Sequence, residues 1–174
     1  MRRLSLNARL APDAPISAEI EVALICVEHP DLPAPIRLST DNTERLSDEP
    51  LYYGTRSTWA GANPLTQPYL WVVASAVLPS DLEDAPAAAQ IVLDNLDSQM
   101  AAVLRSVTSP PTVRLAVVLA SSPNRVEAEW SDLRLVAADI DAGQIVLSLS
   151  REEIEQEMFP GGRMSRERFP GLHR

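Results

Sequence analysis

Proline limits this chain more than any other residue. Fifteen prolines lie among 174 residues. Each one fixes φ and removes a backbone donor, so regular elements must fit between them. That argues for short elements and long connections, and against a helical bundle. The stretch from Ala89 to Ser121 shows what fits. Ile91 and Leu93 share one face of a short strand around Gln90–Asp94. Asp97 then reads as an N-cap, and Met100, Val103, Leu104 and Val107 recur at helical spacing. The pattern predicts a helix from about Ser98 to Val107, packed through Met100, Val103 and Leu104. Pro110 and Pro111 end it, and Val113, Leu115, Val117 and Leu119 alternate as a strand. A helix of about three turns is marginal alone in water, so it must lie on the sheet of its flanking strands.

The rest of the chain reads as strands and turns. Glu19–Glu28 has Val22, Leu24 and Cys26 on one face and Ala23, Ile25 and Val27 on the other. Both faces are apolar, which predicts a covered, central strand. The proline-rich turn from His29 to Pro35 leads to a returning strand, Ile36–Ser39. Asp41–Pro50 is polar and reads as loop, while Leu51–Trp59 and Pro68–Ala76 read as strands. Ser122–Arg125 reads as a turn. Trp130–Ile140 alternates, with Leu133, Leu135 and Ala137 to one side, and Asp141-Ala142-Gly143 turns it into Ile145, Leu147 and Leu149. About seven strands result, mostly in hairpin order. The expected fold is mainly β, an antiparallel sandwich or barrel with one short packed helix. Residues 1–158 form the β domain, and 159–174, where apolar periodicity stops, form a C-terminal extension or docking arm.

The net charge is −9, and all fifteen basic residues are arginine. Residues 1–10 carry +3 and residues 159–174 carry +3, which leaves −15 on the body between them. Such a body is a poor general nucleic-acid binder, because phosphate affinity rests on Lys and Arg. No apolar run approaches the roughly 18 residues of a membrane span. The N-terminal stretch lacks the apolar segment of a secretory signal. The single Cys26 allows no internal disulfide and no multi-cysteine metal site, and its register with Val22 and Leu24 reads as a buried thiol. Synthesis in the cytoplasm fits these features.

Motifs that carry chemistry are missing: no nucleophile elbow, phosphate loop, dinucleotide fingerprint, HExxH or CxxC is present. The histidines are His29 and His173, and neither has a nucleophile or ligand partner nearby in sequence. Asp81, Glu83 and Asp84 crowd one loop, but their spacing is not that of a calcium hand. A non-enzymatic β domain without cofactor or metal is the expectation.

The most unusual stretch is the ending, Phe159-Pro160-Gly161-Gly162-Arg163 through Arg168-Phe169-Pro170-Gly171-Leu172. Together with Glu28–Arg37, with Leu93–Asp97 running into Leu104-Arg105-Ser106, and with Pro110–Val113, it resembles an uncharacterised-domain family of tailed bacteriophages. The members are encoded among the tail genes, between the tape measure and the central fibre or host-specificity protein. The resemblance covers most of the chain and departs from the family pattern between about Thr55 and Gln67, where Thr58–Thr66 looks like an insertion. It implies a minor tail protein of a long, non-contractile tail tip, with a barrel or sandwich of the tail-tube and distal-tail kind. The implied partners are copies of itself in a ring, a hexamer or trimer, and the neighbouring tube, tape-measure and central hub proteins. The implied location is the virion. The family offers no catalytic residues.

Within that family the tail reads either as an arm that crosses to a neighbouring subunit or tail protein, or as a segment that folds back on its own domain. Phe159, Arg163, Arg168 and Phe169 are the arm's candidate contacts, because apolar anchors flanked by guanidinium groups suit an acidic neighbour. The alternative is an accessory module that binds or hydrolyses host-surface glycans. That reading rests on Tyr52, Tyr53 and Trp59 near Asp48 and Glu49.

Overall fold

The computed structural model describes residues 4–14, 17, 19–77, 88–94, 107, 109–151 and 168. A short helix, α1 (Leu6–Leu10), precedes ten strands. These are β1 (Glu21–Glu28), β2 (Ile36–Ser39), β3 (Glu44–Asp48), β4 (Leu51–Thr55), β5 (Tyr69–Trp71), β6 (Ala74–Val77), β7 (Ala88–Asp94), β8 (Thr112–Leu119), β9 (Ser122–Ile140) and β10 (Gln144–Arg151). They form one mixed sheet in the order β3-β4-β5-β2-β1-β8-β9-β10-β7-β6. Among the described strands only β2 and β5 pair in parallel.

The linear order conceals a closure. Just two residues, Val72 and Val73, separate β5 from β6, so 69–77 is one extended segment with two different neighbours. Its first part pairs with β2 at Leu38–Leu70 and Ser39–Trp71. Its second part pairs with β7 from Ala74–Leu93 to Val77–Gln90. In between, the Val72 N–H donates to Ser39 O and the Asp94 N–H to Val73 O, both at 2.9 Å. The sheet therefore returns to itself as a barrel, and the β3–β4 hairpin hangs outside on β5.

Alternation along the strands fills the barrel. Ile25 and Val27 of β1, Leu38 of β2, Ile91 and Leu93 of β7, Val113 and Leu115 of β8, Trp130 and Leu133 of β9, and Ile145, Leu147 and Leu149 of β10 form one core. Burying each such side chain contributes about 1.5–3 kcal/mol. The other faces of β1 and β8 are apolar too. Val22, Leu24, Cys26, Ala116 and Val118 join Trp59, Ala62 and Tyr69 in a second cluster outside the wall. Strand β1 is thus covered on both faces and lies between β2 and β8, as its sequence predicts.

Four expectations need correction. The strands among the described residues number ten rather than seven. Asp41–Pro50 is not all loop, because Glu44–Asp48 pairs with β4 as an edge strand. The expected turn at Ser122–Arg125 is absorbed into β9: Leu119 pairs with Ser122 and Val118 with Val126, so the residues between them bulge out. Strand β9 also changes phase three more times. Glu127 is skipped between the Val117–Ala128 and Val118–Val126 pairs. Ser131 and Asp132 together oppose Arg114, with Asp132 at φ +60°. Val136 is skipped between the Leu135–Leu149 and Ala137–Ser148 pairs, so that Ile140, rather than Ala137, packs against the core. Such bulges bend and twist a strand, and they let a 19-residue strand follow a curved wall. The predicted helix over Ser98–Val107 lies outside the described residues except for Val107, which is half-buried. The helix that is described, α1, was not expected.

Candidate functional site

Residues 56–68, between β4 and β5, form a strap across the outer apolar face of β1 and β8. The segment that looks like an insertion is therefore part of the packing. Ser57 Oγ donates to Pro123 O at 2.6 Å, and the Thr58 N–H donates to Asn124 Oδ1 at 2.8 Å. Both acceptors sit on the first β9 bulge. Trp59 is 7% exposed; its Nε1–H donates to Glu129 Oε1 at 3.0 Å, and its carbonyl accepts from the Tyr69 hydroxyl at 2.8 Å. The two rings lie 5.8 Å apart. Trp59 is therefore a plug that the strap inserts under itself, while Tyr52 on β4 is 47% exposed. The aromatic cluster expected for a sugar platform is divided.

Beneath the strap a polar row crosses the wall. Cys26 pairs with Arg37 of β2 on one side and Arg114 of β8 on the other. Arg114 Nη2 donates to Glu28 Oε1. Burial works against the Arg114 charge, but the Glu28 carboxylate outweighs it and raises the guanidinium pKa further. The Cys26 thiol is also pushed up, first by burial and then by Glu28, against the opposite pull of Arg37 and Arg114. A protonated, buried thiol is a poor nucleophile. Tyr69 is fully buried, and burial raises its hydroxyl to about 12.

At the end of β1 the fold joins residues that the sequence keeps 80 apart. His29 Nε2 lies 2.6 Å from Ser109 Oγ. His29 Nδ1 lies 3.0 Å from the Asp31 backbone nitrogen and 3.6 Å from Asp31 Oδ2. The three side chains imitate a serine–histidine–aspartate group, but the protons are arranged differently. Nδ1 accepts the Asp31 N–H, so Nε2 carries the ring proton and donates it to Ser109. A general base needs the reverse, with Nε2 accepting from the serine and Nδ1–H bonded to a carboxylate. Here His29 acts as a clasp between the proline-rich turn and the approach to β8. Its side chain is only 3% exposed. Beside it lies a cleft of about 390 Å³, lined by Glu28, His29, Pro30, Leu32, Pro33, Ala34, Pro35 and Thr112. Sequence reading placed His29 in a turn but had no signal for Ser109, because no local pattern encodes that contact.

Of the four expected contact residues, Phe159, Arg163 and Phe169 lie outside the described residues, and Arg168 is an exposed turn residue. Among the described residues no group of three or more His, Cys, Asp and Glu side chains is placed to hold a metal ion. No helix among them is long and apolar enough to cross a membrane. The chain matches no protein-family model, and no curated protein matches it in sequence.

Proposed function

We propose that this protein is a structural subunit of a siphophage-type tail tip, a minor tail protein whose copies form a ring between the tail tube and the central hub. The residue pattern that resembles the tail-protein family motivates the reading. One structural observation carries it further: large apolar side chains stay exposed on separate elements. Leu6 and Leu10 on α1 are 68% and 55% exposed, Leu51 on β4 is 53%, Leu65 on the strap is 82% and Val136 on β9 is 68%. A ring subunit needs adhesive surfaces on two different sides, because a head-to-tail contact uses two distinct patches. The proposed role is mechanical: to cap the tube, hold the hub and leave a channel for DNA, from which an acidic lining would repel the phosphates.

The glycan-module reading is weaker, because Trp59 has its indole packed inward and bonded to Glu129. Immunogold labelling of virions with an antibody against the protein tests the proposal. Gold at the tail tip is expected; virions without label, or label on the capsid, would overturn it. A second test concerns the proposed arm. Deleting residues 159–174 should leave the melting temperature almost unchanged and abolish tail assembly in a complementation assay. Normal tails from the shortened protein would defeat the arm.

A further inference from the structure

Helix α1 buries none of its residues against its own domain. A five-residue helix does not persist alone in water. Polar bonds hold this one at its start. The Ala8 N–H donates to Ser5 Oγ at 3.1 Å, and the Ser5 N–H donates to Glu127 Oε2 at 2.6 Å. Ser5 and Glu127 are both buried, so the helix is fixed to the first half of β9. Leu6 and Leu10 lie one turn apart on one side, facing solvent. Arg9 is exposed beside them, and residues 1–10 carry +3.

The cleft at the proline-rich turn has complementary chemistry. It is lined by Leu32, Ala34 and three prolines, which hold their φ angles before any partner arrives. Glu28 lines it, and the Asp31 side chain, 57% exposed, stands on the same turn. It is an apolar slot with an acidic rim.

We propose that α1 of one molecule docks in the proline-turn cleft of a second copy, with Leu6 and Leu10 in the slot and Arg9 against the carboxylates of Glu28 and Asp31. The contact cannot form within one molecule. Asn7 Nδ2 lies 3.4 Å from Glu19 Oε1, which places α1 beside the start of β1. The cleft follows the end of β1, and an eight-residue strand spans roughly 25 Å. Charge favours a copy of this chain as occupant, because the N-terminal segment is basic and the body acidic. The two patches differ, so the contact is head-to-tail and propagates to a closed ring or an open chain. The inference deepens the ring reading and rests on it only for closure.

Sedimentation velocity on the full chain over a wide concentration range tests it. The wild type should form concentration-dependent oligomers. Leu6→Asp with Leu10→Asp should be monomeric, and so should Ala34→Trp, which fills the cleft; both should melt like the wild type because these positions are exposed. Mixed in equal amounts, the two variants should give a one-to-one complex and nothing larger, since each keeps one intact face. Arg9→Glu or Asp31→Arg alone should weaken assembly by about tenfold, and both together on one chain should restore it. A wild type that stays monomeric, an α1 variant that assembles normally, or a mixture that forms no complex overturns the proposal. Assembly by this contact without tail-tip label on virions would retain the interface and discard the ring reading. Tail-tip label with assembly insensitive to these variants would do the opposite.

Discussion

Tyr69 illustrates what a single side chain does here. Its hydroxyl is buried and aimed at the Trp59 carbonyl, so a phenolate at that place would lose its water and face an oxygen. The folded-state pKa of about 12 lies above the ordinary value of 10. An acid held protonated by the fold contributes stability that is complete below the unfolded pKa and lost as pH rises toward the folded one. Stability should therefore fall between about pH 10 and 12, and Tyr69→Phe should flatten that fall in denaturant titrations. An unchanged alkaline slope in the variant would contradict this. Gly54 has a different constraint. Its φ is +155°, and a Cβ there would stand 1.9 Å from the Tyr69 carbonyl oxygen, where β4 crosses close to β5. Gly54→Ala should destabilise by at least ~1 kcal/mol, measured by urea unfolding. At this scale the sequence was half legible. The period of β1 revealed that Cys26 is buried with Val22 and Leu24. That Arg37 and Arg114 flank it was hidden, because register between strands depends on turns and bulges that no local pattern records.

Among the elements, the strap and β9 depend on each other. The strap's bonds end on Pro123 and Asn124, which are available only because β9 bulges there. Trp59 then closes the outer cluster over Leu24, Cys26 and Val118. Trp59→Ala should cost about 3–5 kcal/mol by thermal or chemical melting and expose the strap to limited proteolysis. A loss below about 1 kcal/mol would show that the strap contributes little packing. The strands of the barrel were mostly readable, since β1, β2, β7, β8 and β10 follow period two with apolar inner faces. The errors have one physical source. Between Trp130 and Ile140, β9 gains one extra residue at Ser131–Asp132 and another at Val136, so a single alternation fitted across that range goes out of phase at each. Edge strand β3 escaped for another reason: it packs against only one neighbour and carries Glu44, Arg45 and Asp48, which resemble loop.

For the whole molecule, closure decides how it fails. A ring of strands has no free end from which to fray, so opening starts where adjoining walls share the fewest bonds. β1 and β8 are matched over eight residue pairs, whereas β2 meets the closing segment over two, reinforced by the Val72–Ser39 bond. The barrel therefore has a seam. Native-state hydrogen exchange should find the amides of residues 70–73 exchanging by a lower-energy opening than those of 22–27, and uniform protection around the ring would refute this. Force follows the same route. A load that pulls β2 away from the closing segment unzips the molecule along a line only a few residues long, yet one that presses the two together leaves the long β1–β8 contact to resist it. In any assembly under axial tension, neighbours that clamp β2 and residues 69–77 would govern how much stress the molecule withstands.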